Sequence, residues 1–374
     1  MSVRKRLLRT RYPKIKKGLP KCKNLSVMAK VLIVTTSSKT RGGIASVVNA
    51  HRTGPQWKAY NCEWIETHID RSAAMKIFYF LRGLMKFLFK IPSADLVHIH
   101  LAAVERKMPF VFLTKLFGKK LVIHLHFNIP EKTIYNPVKS RRYCWCLRKA
   151  DRVIVLSESW KKMIADEWHI DTEVIPNPCP DIDPKADYRI DSPSPYILFA
   201  ANVSQIKGYR ELIAAFAAAS RQMPGWRLVM AGNGEVEEAR RLASEAGIAD
   251  KVEFPGWIAG EKKDEAFRNA ACYCLPSYFE GFPMGILDAW AYHLPVIATP
   301  VGGIPDAARN GENALIVPSG DVERLTESLL ALRDRDVRAR LSAGAARMAS
   351  EVFGLSKINV RIGQMYSELL NENS

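Results

Sequence analysis

Glu280-Gly281-Phe282-Pro283-Met284-Gly285-Ile286-Leu287-Asp288 is the stretch from which the rest of this chain is read. Residues 271–276 before it read as a buried strand. Residues 284–293 carry helical spacing, Pro283 suits the first helical position, and residues 295–299 resume as strand. One carboxylate therefore stands just ahead of a helix and another two turns inside it, with a glycine-rich entry between them. Unpaired amides at such a helix start attract phosphate, and the aligned peptide dipoles add roughly half a positive charge.

The same alternation extends outward in both directions. In the second half, strands are expected at residues 196–200, 227–231 and 252–254, and helices at 209–221, 235–246, 261–270, 322–331 and 336–352. In the first half, residues 30–35 (KVLIVT) form a β-rich run. A polar turn ending in Gly42-Gly43 and a helical segment follow, and strand candidates recur at 96–100, 121–126, 152–156 and 173–175. Two doubly wound α/β domains are the expectation, with ligands at the carboxyl ends of the strands. Residues 176–195 are rich in Pro, Asp and Ser and read as the linker. The expected division is a basic tail (1–28), a first domain (29–185), a second domain (186–355) and a final helix (356–374).

At 374 residues the chain is long for one core. Its formal charge of +17 is concentrated: residues 1–30 hold eleven Lys and Arg and no acid, leaving 17 − 11 = +6 for the remainder. The tail reads as an electrostatic tether, a nucleic-acid contact or translated leader, Met28 being the expected initiator in the last case. With modest charge elsewhere and no recognition motif, the body is not expected to bind nucleic acid. The tail lacks the apolar core of a secretory signal and no run reaches the ~18 apolar residues of a membrane span, so a cytoplasmic location is expected. The pairs Cys144/Cys146 and Cys272/Cys274 contain no CxxC, and the second pair reads as buried thiols rather than a metal site.

Three further patterns have functional content. Lys207-Gly208 follows the strand at 196–200, pairing a cation with a residue that lets backbone approach closely. Gly232-Asn233-Gly234 follows the next strand. His98/His100 and His124/His126 end consecutive strands, and alternation sends the members of each pair to one sheet face. Four histidines also invite a zinc reading.

Together these motifs resemble the family-4 retaining glycosyltransferases of the GT-B fold, over about nine-tenths of the chain from Met28 onward. The resemblance implies two Rossmann-like domains facing a central cleft, with a C-terminal helix crossing back to the first. It implies transfer from a nucleotide-diphosphate sugar to a hydroxyl of a glycan or lipid-linked acceptor, with retention of configuration and without a metal or other cofactor. Glu280 would hydrogen-bond sugar hydroxyls, the stretch Phe282, Pro283, Met284, Gly285 and Ile286 would meet sugar and phosphate, and Asp288 would hold the ribose. Lys207 would bind the leaving diphosphate, Gly232 and Gly234 would make room for nucleotide, and the backbone at Trp257 and Ile258 would meet a base that is not specified. Gly42 and Gly43 would approach the donor phosphate, His126 the donor sugar, and His100 the acceptor. Three positions depart from the family pattern. Its diphosphate-gripping arginine is Asn202 and the preceding glycine is Ala201, while Asp288 replaces a glutamate and is shorter by about 1.5 Å. Arg210 is the candidate to compensate for Asn202. These departures leave two alternatives open: a nucleotide-sugar epimerase on the same fold, and a non-catalytic glycan-assembly partner.

Residues 73–90 are aromatic and aliphatic on one side, with Lys76, Arg82, Lys86 and Lys90 close together around the helix. This suits the anionic inner face of a plasma membrane; it also fits a core-facing helix with a solvated basic edge. Cell-surface polysaccharide assembly on a lipid carrier would join these expectations.

Overall fold

Strand β1 (Val31–Thr35) is buried along its whole length, as a central parallel strand covered by helices on both faces must be. The structure, a computed structural model, describes residues 29–40, 42–101, 103–126, 136–182 and 194–371. The basic tail with Met28, and residues 183–193 of the expected linker, lie outside the described residues. The chain divides into two units, one ending at Pro178 and resuming at Leu355, the other Cys179–Gly354. The division thus falls ahead of the expected boundary at 185.

The first unit runs β1, α1 (Gly43–Arg52), α2 (Pro55–Ala59), β2 (Glu63–Glu66), α3 (Ala73–Lys90), β3 (Leu96–Leu101), α4 (Val104–Leu116), β4 (Lys120–Leu125), α5 (Pro137–Lys149), β5 (Arg152–Val155), α6 (Glu158–Trp168) and β6 (Glu173–Val174). Its strands are all parallel in the order β2-β1-β3-β4-β5-β6. Strand β2 escapes sequence reading because EWIE buries only Ile65 and carries acids at both ends. It survives as an edge strand paired to β1.

The second unit runs β7 (Tyr196–Ala200), α7 (Tyr209–Ser220), β8 (Arg227–Ala231), α8 (Val236–Glu245), β9 (Val252–Glu253), α9 (Glu261–Arg268), β10 (Cys272–Leu275), α10 (Met284–Ala291), β11 (Val296–Ala298), α11 (Ile304–Ala307), β12 (Leu315–Ile316), α12 (Val322–Ala331) and α13 (Arg335–Arg347). The parallel order is β12-β11-β10-β7-β8-β9. The winding direction therefore reverses between β7 and β10, and the crevice at that reversal is where open α/β sheets hold ligands. Two expectations need correcting. Helix α13 passes into a π turn at Met348–Val352 instead of continuing as one helix to 352. Helix α10 starts at Met284 with Pro283 as its N-cap, so Asp288 is its fifth residue, one turn in and not two. Cys272 and Cys274 are buried free thiols, pushed up in pKa by burial.

The last helix, α14 (Leu355–Asn371), returns to the first unit's sheet. Ile358, Ile362, Met365, Tyr366 and Leu369 share a core with Val31, Ile33, Leu96 and Val122. Burying each such side chain contributes about 1.5–3 kcal/mol. Polar contacts fix the register: Tyr60 donates to the Gly363 carbonyl at 3.0 Å and Gln56 to Asn359 Oδ1 at 2.8 Å.

Helix α3 corrects the expected basic stripe. Lys86 and Lys90 reach Glu63 at 3.1 and 3.3 Å, Arg82 reaches Glu66 at 2.8 Å, and Lys76 reaches Asp70 at 3.4 Å. These cations are engaged by acids of β2 and the following turn, which the sequence reading had not placed. Arg82 and Lys86 stay exposed at their outer ends, and beside them stand exposed apolar side chains: Ile77, Phe78, Leu81, Met85 and Phe89, joined by Phe112, Leu116 and Phe117 of α4 and its end. Among the described residues no helix is long and apolar enough to cross a membrane.

Candidate functional site

At the reversal in the second sheet, the turn after β7 brings Lys207 to the loop after β10. Lys207 Nζ donates to Glu280 Oε1 at 2.6 Å, and the Ser277 hydroxyl donates to the same oxygen at 2.7 Å. Glu280 is 6% exposed. Among the described residues its Oε2 receives no such donor, so the carboxylate can still accept a ligand hydroxyl. The lysine keeps two further N–H groups for an anion.

Glycine makes this approach possible. Gly208 sits at φ 71°, and a Cβ there would lie 2.0 Å from the Pro276 carbonyl oxygen, so no other residue lets the β7 turn meet the β10 turn. Gly302, which sequence reading missed, packs the loop after β11 beneath Glu280: its Cβ would meet the Glu280 carbonyl at 2.2 Å, and Gly303 donates to the Gly281 carbonyl at 2.7 Å. Gly232 abuts the Ala201 carbonyl and Gly234 the Val203 carbonyl, which draws the β8 turn against the β7 turn beside exposed Asn202.

The amides left unpaired at the start of α10 are fewer than the resemblance implies. Pro283 has no N–H, and Ile286 already donates to the Pro283 carbonyl at 3.2 Å. Phe282, Met284 and Gly285 are left ahead of the helical ladder. One turn further, Asp288 is buried and paired at 2.8 Å with Lys263 of α9, a residue the sequence reading did not single out. Burial pushes the Asp288 carboxyl up and Lys263 pulls it back. Its lone pairs exceed what one ammonium uses, so a diol can share the carboxylate. Arg210, the expected substitute for Asn202, is committed elsewhere: it pairs with Glu238 at 2.9 Å at the start of α8. Trp257 is exposed and Ile258 half-buried on the loop after β9.

In the first unit Gly42 is the N-cap of α1 and Gly43 its first residue. The four strand-end histidines form one stack. His98 and His100 lie 4.6 Å apart at 13°, His124 and His126 4.1 Å apart at 30°, and His100 Nδ1 is 2.6 Å from His126 Nε2. His100 is buried within this stack, which corrects the expectation that it faces an acceptor. Burial, with His51 adding and Asn177 opposing, pushes His126 down to about 3, so it is a neutral imidazole. Ring nitrogens of His98, His100 and His124 lie within 4.8 Å of one another, close enough for a metal ion to be considered. Near-parallel rings, however, direct their in-plane lone pairs side by side and not to one point.

Comparison with known proteins accords with this geometry. The model described as "Glycosyl transferases group 1" matches residues 182–348, and that described as "Glycosyltransferase Family 4" matches residues 65–181. A D-inositol 3-phosphate glycosyltransferase of Acidothermus cellulolyticus is 32% identical over 163 residues, covering 41% of this chain and 36% of the relative. An uncharacterized glycosyltransferase of Haemophilus influenzae is 25% identical over 214 residues, covering 56% and 59%. The chain thus matches well under two-thirds of either relative's length. Anabaena HepE, solved with UDP and glucose, superposes with a TM-score of 0.74 at 18% identity, covering 91% of this chain and 100% of HepE. Sucrose-phosphate synthase of Thermosynechococcus elongatus gives 0.74 at 20% identity, covering 92% of this chain and 100% of the synthase. These two likenesses establish the fold. With two adjoining family models over most of its length and two parallel six-stranded sheets, the chain belongs to glycosyltransferase family 4 and has the GT-B fold.

Proposed function

We propose that this protein transfers a glycosyl group from a nucleoside-diphosphate sugar to a hydroxyl of a glycan or lipid-linked acceptor, with retention at the anomeric carbon. The observation that carries the reading is the Lys207–Glu280 pair at the reversal of the second sheet. As the anomeric bond breaks, negative charge gathers on the departing diphosphate, and a fixed ammonium and free helix-start amides stabilise it more than the ground state. Glu280 accepts hydroxyls of the sugar, and Asp288, steadied by Lys263, accepts those of the ribose. The leaving diphosphate oxygen takes the acceptor proton on the face it leaves, which preserves the configuration. No metal is required for these steps. HepE was solved with UDP and glucose, which supports a uridine nucleotide as the first donor to try.

Thermal melts over a panel of nucleotide sugars test the donor. A matched donor at a hundred times its Kd adds about 2.7 kcal/mol of stability by mass action. Proton NMR of the product, run with EDTA present, then reads the anomeric configuration. An inverted product sinks the mechanism, free altered sugar without acceptor points to an epimerase, and binding without turnover points to an assembly partner.

Polysaccharide assembly on a lipid carrier at the inner membrane face is part of the same proposal, with contact through the apolar faces of α3 and α4 in place of headgroup charge. Vesicle flotation should show binding to neutral phosphatidylcholine that survives high salt and falls sharply in a Phe78→Asp, Phe89→Asp variant. Binding only to anionic vesicles, abolished by salt, would refute this mode.

A further inference from the structure

A pocket of about 310 Å³ opens in the first unit beside edge strand β2, lined among others by Ser38, Arg52, Trp57, Trp64 and Arg82. We infer that it binds a carboxylate-bearing pyranose ring of the acceptor glycan, an assignment that rests on the glycosyl-transfer reading above. The volume sits at the lower end of the roughly 300–1,000 Å³ of small-ligand sites. The lining runs along edge strand β2 from Cys62 and Glu63 at its amino end to Glu66 at its carboxyl end, where it meets Ser38 on the loop after β1 that leads to Gly42 and Gly43.

Its chemistry is that of a saccharide site. Two half-buried indoles, Trp57 and Trp64, stand 6.2 Å apart at 52° and offer aromatic faces to the C–H side of a ring. Trp64 is held by its Nε1–H on the Thr36 carbonyl at 2.9 Å. Glu66 is fixed by the hydroxyls of Ser37 and Ser38 and by Arg82, at 2.8, 3.1 and 2.8 Å. Glu63 is shared by Lys30, Lys86 and Lys90. Charge then selects the ligand. Three cations (Arg52, Arg82, Lys86) and two carboxylates (Glu63, Glu66) line the pocket, an excess of 3 − 2 = 1, and Lys30 and Lys90 add further cations on Glu63 behind the lining. Arg52 is exposed at the mouth and makes no hydrogen bond or ion pair among the described residues. A free guanidinium beside two indoles is a fork for a carboxylate on a ring the indoles can hold.

Saturation-transfer NMR on the full chain with methyl β-D-glucuronide, without donor, tests the assignment. Saturation of the ring protons is expected, weakened about ten- to a hundredfold in Arg52→Ala, and weaker still for methyl β-D-glucoside in the unmodified protein. Lys207→Ala should retain glucuronide binding while losing stabilisation by nucleotide sugars, so loss of donor binding alone leaves the pocket standing. No saturation, equal saturation of the glucoside, an unchanged Arg52→Ala, or full displacement by equimolar inorganic phosphate would each overturn the assignment.

Discussion

Lys207→Ala is expected to lower kcat by about two to three decades, the usual consequence of removing one preorganised donor from developing negative charge. The ammonium sits 2.6 Å from Glu280, and its side chain is 24% exposed against 6% for Glu280. Removing it therefore also strands a buried carboxylate. Breaking such a pair costs up to about 3–5 kcal/mol where both groups are buried, and less here because the lysine is partly solvated and Ser277 still donates to Glu280. A fall in melting temperature should accompany the loss of rate. Glu280→Gln separates the two effects. The amide oxygen still accepts from Ser277 and Lys207 without a buried charge, so the fold is retained while the grip on the sugar weakens. Paired kcat and melting measurements on both variants check this. A Lys207→Ala enzyme within threefold of the parent rate, with an intact melt, removes the lysine from the mechanism.

The site and the fold were legible to different depths, for physical reasons. The strand-turn-helix signals around Glu280 and Lys207 are local, so spacing located both turns, the family resemblance singled out the lysine, and the parallel order brought the two together. The close approaches that build the site are not local. Nothing near Gly302 announces that its missing side chain makes room for the Glu280 loop, and Lys263 lies 25 positions before its partner Asp288 on a helix whose charges look solvated. Strand β2 was invisible because four residues with one buried position carry too weak a period. Without Glu63 and Glu66 in view, the ion pairs of α3 could not be foreseen, and the membrane and core-facing readings of that helix both stayed open. Arg210 shows the converse, an arginine in the right neighbourhood already taken by Glu238.

The first unit is expected to lose stability steeply on acidification. His51 is buried and its pKa is pushed down to about 4, with a hydrogen bond to Asn359 opposing. Burial also lowers His98, His100, His124 and His126, with neighbouring imidazoles adding to each. The hydroxyl of Tyr366 and the thiol of Cys62, which share this interior, are pushed up by burial and stay neutral, so neither supplies a counter-charge. The sign follows from proton binding. The unfolded chain takes up protons near the ordinary 6.5 while the folded unit does not, so stability is full above that value and falls as pH drops towards the folded-state value. For His51 alone the window from 6.5 to about 4 is worth (6.5 − 4) × 1.36, or about 3 kcal/mol. That is a large share of the roughly 5–15 kcal/mol that holds a domain together. His124 isolates the effect, because among the described residues neither of its ring nitrogens has a hydrogen-bond partner. His124→Phe removes two unsatisfied polar atoms and one latent charge while keeping a flat ring in the stack. It should match or exceed the parent stability at neutral pH and decline less on acidification. Denaturant titrations of parent and variant at neutral pH and near about pH 5 measure both. If the two decline in parallel, protonation of the stacked imidazoles is not what limits the fold in acid.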